Sequence, residues 1–234
     1  MASKTRQPEQ QAPPVQRLRI RYAKRGRLRF TSHRDFGRAF ERALRRAGIP
    51  MAYSSGFSPH PRISYSTASP TGAASEAEYL EIALAQVCVP ELVKSELDRA
   101  LPPGLDVLGV VESDGSSLAD RLTGSAWRIE LPGVAPDVIS AAVTTFLAAD
   151  SAPAERMTKN GLRTFDARES VLRLVADDQG MELVTRHLTP LVRPDDVLGA
   201  MTRLLPAFAP SQPLITRLRQ GEVNHTTGDI VEPF

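Results

Sequence analysis

Residues 17–48, RLRIRYAKRGRLRFTSHRDFGRAFERALRRAG, change their apolar period from two to about 3.6 within one short stretch. That switch constrains the fold more than any other feature of the chain. In RLRIRY, Leu18, Ile20 and Tyr22 alternate with Arg17, Arg19 and Arg21, which predicts a strand with one apolar and one cationic face. KRGR reads as a turn around Gly26, and LRF returns toward the core. Ser32 is a good helix N-cap and Asp35 suits the first turn, so a helix is predicted to about Ala47, stopped by Gly48 and Pro50. At about 100° per residue, Phe36, Phe40, Ala43, Leu44 and Ala47 share an arc of roughly 100°. Arg34, Arg38, Arg42 and Arg45 fall on the opposite side, within about 80° of each other. Two apolar faces close a core, and two arginine rows stay outside.

The same reading extends along the chain. MASKTRQPEQQAPPVQ, residues 1–16, has too few large apolar side chains to order itself and reads as a tail. After the first helix come a strand near Met51–Tyr53, an irregular loop over Ser54–Pro61, and strands over Arg62–Thr67 and in EAEYLEIALA. Pro90 opens a second helix with Leu92, Val93, Leu97 and Leu101 on one face, and LDVLGVV is a strand. The second half repeats this order. SAWRIEL is a strand, and PDVISAAVTTFLAA is a helix with Val138, Ala142, Val143 and Phe146 inward. RMTKNGLRTFDARESVLRLV is a hairpin turning at NG, and MELVTRHL, a helix after Pro194 and PLITRLRQG follow. The fold class is therefore α+β, with two ferredoxin-like (βαβ-type) α/β-sandwich halves in tandem. The expected boundaries are a disordered tail over 1–16, a basic domain over 17–112, a linker over 113–124, a second domain over 125–221 and a tail over 222–234.

Charge divides the same way. The net charge is only +2, yet residues 1–62 hold 15 Lys or Arg against 3 Asp or Glu, and the rest holds 14 against 24. A basic first segment on a mildly acidic body points to a polyanion as partner. No apolar run approaches the roughly 20 residues a bilayer span needs, and no signal-peptide core opens the chain, so a cytoplasmic protein without membrane contact is expected. Cys88 is the single cysteine, which excludes an intrachain disulfide and a cysteine-based zinc or iron–sulfur site.

Several residue groups carry candidate chemistry. Arg19 and Arg21 on the strand, Arg27 in the turn, and Arg34, Arg38, Arg42 and Arg45 on the helix form a platform for phosphates, which arginine's planar fork binds bidentately. The competing reading, a solvated face of i, i+4 ion pairs, has only Asp35 and Glu41 within the helix to supply it. In SSGFSPHPRISYS, two prolines stiffen the backbone around His60 while Gly56 permits an unusual turn. Phe57 and His60 there are flat side chains suited to an unpaired base, with Arg62 beside them. The later hairpin adds Arg156, Lys159, Arg163 and Arg168. His33 and His60, with Glu76 and Glu78 of SEAEYLE, are candidates for acid–base catalysis, although a helix-capping role for His33 and a solvated strand face or salt bridges to the arginines for the glutamates are the favoured readings. No metal site is expected, because no third and fourth ligand accompany the histidines.

The motifs also carry a resemblance. Residues 29–84 contain R-F-x-S-H-x-D, E-R-A-L-R-R-A-x-x-P, G-F-x-P-H-P and S-x-A-E-Y, and Thr158–Arg168 reads T-K-x-G-x-R-x-x-D-x-R. In these the chain resembles a bacterial family of radical SAM-linked (radical SAM-associated) proteins. The resemblance implies association with a radical S-adenosylmethionine enzyme or a ribonuclease E/G. The chain has no C-x-x-x-C-x-x-C, so it does not itself hold the iron–sulfur cluster of such an enzyme, and no cofactor is expected. The expected function is an RNA-binding accessory protein that presents tRNA or rRNA to a separate modifying or processing enzyme. The alternatives are an RNA-processing or RNA-modifying enzyme using His33 or His60, and a protein–protein adaptor for a radical SAM enzyme.

Overall fold

The computed structural model describes residues 10–158 and 161–234, and the N-terminal part of the expected tail lies outside them. Among the described residues the architecture is mixed α/β, with four α-helices and strands that pair mostly antiparallel. The chain forms two compact units. The first holds residues 10–68 with Glu78–Leu118, and the second holds Ser69–Ala77 with the residues from Ala119 to Phe234.

In the first unit the elements are β1 (Gln16–Lys24), α1 (His33–Arg46), β2 (Ile63–Tyr65), the Glu78–Leu84 part of β3 (Ala74–Leu84), α2 (Pro90–Ala100) and β4 (Leu105–Glu112). The strand order is β4-β1-β3-β2, with β1 antiparallel to β4 and β2 antiparallel to β3. The alternation in RLRIRY does what its period dictates: Leu18, Ile20 and Tyr22 are buried in one cluster with Phe36, Phe40, Ala43 and Leu44 of α1. Burying each large apolar side chain supplies about 1.5–3 kcal/mol, enough to fix which side of α1 faces inward. Tyr22 stacks on Phe36 at 4.5 Å between ring centroids, which sets the helix against β1.

Three local expectations change. Met51 and Tyr53 make isolated bridges to Leu84 and Pro61 and do not form a strand. LRF returns to the core only through Leu28, because Gly26–Phe30 is a 3-10 turn that leaves Phe30 59% exposed. Leu92 points out of α2, whose inward residues are Val93, Leu97 and Ala100.

The second unit contains β5 (Gly124–Glu130), α3 (Pro136–Ala148), β6 (Pro153–Thr158), β7 (Gly161–Asp166), β8 (Val171–Asp177), β9 (Gly180–Arg186), α4 (Pro194–Leu204), β10 (Leu214–Val223) and β11 (Ile230–Val231). Its strand order is β10-β5-β9-β8, all antiparallel, while β6 and β7 pair only with each other. Trp127, Ile129, Phe146, Leu183 and Met201 belong to its core. The first residues of β3 belong here too, with Ala74 and Ser75 parallel to Thr216 and Arg217. The segment read as a C-terminal tail takes part in the fold, since β11 pairs with the end of β10 and buries Ile230.

Candidate nucleic-acid interface

The interface starts at the cap of α1. The Asp35 backbone N–H donates to Ser32 Oγ at 3.2 Å, and the Ser32 hydroxyl donates to Asp35 Oδ2 at 2.7 Å. One orphan amide of the first turn is thereby satisfied. At the other end Gly48 takes φ +66°, its amide bonding to Arg45 O and that of Ile49 to Leu44 O. A glycine there carries the left-handed conformation that closes helices.

With the inward face committed to the core, Arg34, Arg38, Arg42 and Arg45 are all exposed. Arg34, Arg38 and Arg42 lie at i, i+4 and i+8, about 6 Å apart along the axis. Among the described residues, none of these three makes an ion pair or hydrogen bond. Arg45 is different: it pairs with Glu41 at 3.5 Å and donates from Nε to the Glu41 carbonyl. Arg46 is tied to the Ala100 carbonyl. Arg27, on the 3-10 turn, is exposed, and the neighbouring Arg29 guanidinium sits 4.8 Å from the centroid of the exposed Phe30 ring. That cation–aromatic pair has no signal in the sequence, where LRF reads as returning toward the core.

The loop after α1 is closed by its own backbone. Ser54 N–H bonds to His60 O, the His60 N–H bonds to Ser54 Oγ, and Arg62 Nε–H donates to Tyr53 O. Gly56 has φ +133°, which a side chain would resist, and Phe57 next to it is 77% exposed. His60 is also exposed. His33 meets Tyr65 edge to face at 5.0 Å, and the Tyr65 hydroxyl lies 3.4 Å from where a Cβ on Gly37 would stand. Burial, aided by the charge of Glu41, pushes the Tyr65 phenol up to about 12.

The cationic row of β1 does not share this exposure. Arg19 is 2% exposed and is held by Asp114 at 2.9 Å, Glu81 at 3.6 Å and Ser116 Oγ at 3.0 Å. Arg21 is half-buried and partnered. Arg17 pairs with Glu81 at 3.0 Å. Segment 113–118, read from sequence as part of a linker, supplies Asp114 and Ser116, so Arg19 is a structural arginine and does not meet solvent.

The catalytic candidates each have local partners. His33 contacts Tyr65, and His60 uses its backbone to hold Ser54. Glu78 is buried and Glu76 half-buried on β3, each with its own partners. Among the described residues no three His, Cys, Asp or Glu side chains converge as metal ligands.

In the second unit, Arg163 is exposed on β7 opposite Arg156, which is itself bonded to Asp196 and to Leu191 O. Arg168 donates to Val171 O at 3.2 Å and is half-buried. Lys159, with Asn160 of the NG turn, lies outside the described residues.

A family model described as an uncharacterized protein conserved in bacteria (DUF2344) matches residues 17–194, which include every element of the interface. No curated protein matches the chain.

Proposed function

We propose, from the premise that this chain belongs to that bacterial family, that its first unit binds RNA through the Arg34, Arg38 and Arg42 ridge. One observation carries the reading: three exposed guanidinium groups at helical spacing have no carboxylate partner among the described residues. A folded protein gains little from a stack of like charges, whereas a phosphate backbone satisfies each fork and releases counterions. Arg27, the Arg29–Phe30 pair, Phe57 and His60 extend the surface with flat groups on which an unpaired base stacks.

The strand orders β4-β1-β3-β2 and β10-β5-β9-β8 support reading each unit as one ferredoxin-like half, with β6 and β7 inserted in the second. In this reading the protein works in the cytoplasm and presents a tRNA or rRNA to a separate modifying enzyme, a radical SAM enzyme being the partner its motifs suggest. The test is the double charge reversal Arg38→Glu/Arg42→Glu. Loss of RNA retention at low salt, with the circular dichroism spectrum unchanged, supports the reading, and full retention overturns it.

A further inference from the structure

The turn Asp166–Ser170, where the T-K-x-G-x-R-x-x-D-x-R stretch ends, lines two cavities of the second unit. One, of about 190 Å3, is walled by Phe165, Leu188, Pro190 and Val192, with Ser170 and Glu169 among its polar groups. The other, of about 410 Å3, shares Asp166 and Glu169 with it and is completed by Arg168 and the end of α3. Cavities near a polar turn are common, but one residue of the smaller one is not explained by packing. Ser170 is fully buried, and its hydroxyl has no hydrogen-bond partner among the described residues. A buried polar group left unpaired costs about 1–3 kcal/mol, so a partner from outside the chain is the economical explanation.

Size and chemistry narrow that partner. A cavity of about 150 Å3 accepts a benzene ring, so this one admits a single six-membered ring and little more. Phe165 offers an aromatic wall and is itself fixed by the Arg156 guanidinium 5.1 Å from its centroid. Asp166 stays ionised: burial works against its charge, but the amides of Ala152, Arg168 and Glu169 and the Ser151 hydroxyl hold its carboxyl below the usual range. Glu169, which also pairs with Arg186 at 3.6 Å, adds a second carboxylate. Carboxylates accept from an amine and repel a carbonyl oxygen, and a serine hydroxyl both donates and accepts.

We propose that the 190 Å3 cavity beside Ser170 takes one unstacked pyrimidine, cytosine in preference to uracil, with its exocyclic amine toward the carboxylate of Glu169. The proposal rests on the RNA reading and names the nucleotide that the second unit would select. Arg163, exposed on the strand that leads into the turn, is placed to meet the adjoining phosphate.

Free nucleosides test this apart from the arginine ridge, because they carry no phosphate. Cytidine and uridine are titrated into the 15N-labelled full chain and amide shifts followed over residues 165–170 and 188–192. Cytidine should shift them saturably, and uridine should bind about ten-fold more weakly, the usual scale for one lost base contact. Ser170→Ala should weaken cytidine about five-fold. Val192→Phe, which fills the cavity with an apolar side chain, should abolish the shifts should Ser170→Ala fail to fold. Absence of saturable shifts, equal binding of the two nucleosides, or undiminished binding by Val192→Phe overturns the proposal and leaves the ridge reading standing. Loss of the ridge reading would show instead as RNA retention that survives Arg38→Glu/Arg42→Glu.

Discussion

Ser125 Oγ lies 2.9 Å from Nε2 of His187, and the other ring nitrogen of His187 lies 2.6 Å from the carbonyl oxygen of Leu122. A carbonyl only accepts, so Nδ1 carries the proton and Ser125 donates its hydroxyl into Nε2. The imidazole is therefore neutral in the fold. Burial lowers its pKa to about 4, against the opposing pull of the Leu122 carbonyl and with help from the Arg217 charge.

This arrangement predicts a stability change with pH. Above the ordinary histidine value of 6.5 both folded and unfolded chains hold a neutral ring, and His187 adds no pH dependence. As pH falls from 6.5 toward 4 the unfolded chain takes up the proton first, so stability declines, by about 3 kcal/mol once pH is below both values. Urea midpoints measured between pH 7 and pH 4.5 should fall less steeply in His187→Gln than in the parent chain. Equal slopes would assign the acid sensitivity elsewhere.

Arg19 should behave as a structural residue. Arg19→Ala removes the ion pair to Asp114 and the bond to Ser116, while Glu81 keeps Arg17 and the Ser113 hydroxyl. The expected cost is about 2 kcal/mol of stability by urea denaturation. RNA retention per folded molecule should be unchanged. Retention that drops with intact stability would move Arg19 back to the interface.

The C-terminal strand offers a steric test. A Cβ on Gly221 would stand 2.0 Å from the Val231 carbonyl oxygen, closer than atoms approach, so β11 must move in Gly221→Ala. The Asn224 amide, which donates to the Asp229 carbonyl at 2.9 Å beside the β10–β11 pairing, should then exchange with solvent at least ten-fold faster, the equivalent of about 1.4 kcal/mol of local opening. Unchanged exchange would show that β11 adapts around the methyl.

Sequence made much of this molecule legible because the period of its apolar residues is set by backbone geometry. Ser32, Gly48 and the prolines at 90, 136 and 194 mark helix ends where the structure has them. Alternation in RLRIRY named the two faces of β1 correctly, yet it could not say whether the arginine face is covered. Asp114 and Ser116, which cover it, are almost a hundred residues away, and no local pattern encodes that distance. Ala74 and Ser75 fall outside the strand read in EAEYLEIALA, whereas pairing with β10 extends β3 through them. Ser170 gave no signal at all, since a buried serine and an exposed one are spelled the same.

The arginine ridge makes the last prediction, one that separates phosphate contact from general positive charge. If Arg34, Arg38 and Arg42 each neutralise one phosphate of a single-stranded segment, each contributes about 0.7 to the slope of log K against log salt. Fluorescence anisotropy of labelled RNA between about 50 and 300 mM salt should therefore give a slope shallower by about 2 for Arg34→Gln/Arg38→Gln/Arg42→Gln. Arg45→Gln should change it by less than the roughly 0.7 of each ridge arginine, because Arg45 is already paired with Glu41 at 3.5 Å and gains less from a phosphate. All four arginines have the same charge and share one side of α1, so net charge alone predicts equal effects. A slope that depends only on how many arginines are removed, and not on which, would mean the ridge acts as diffuse charge and holds no particular phosphate.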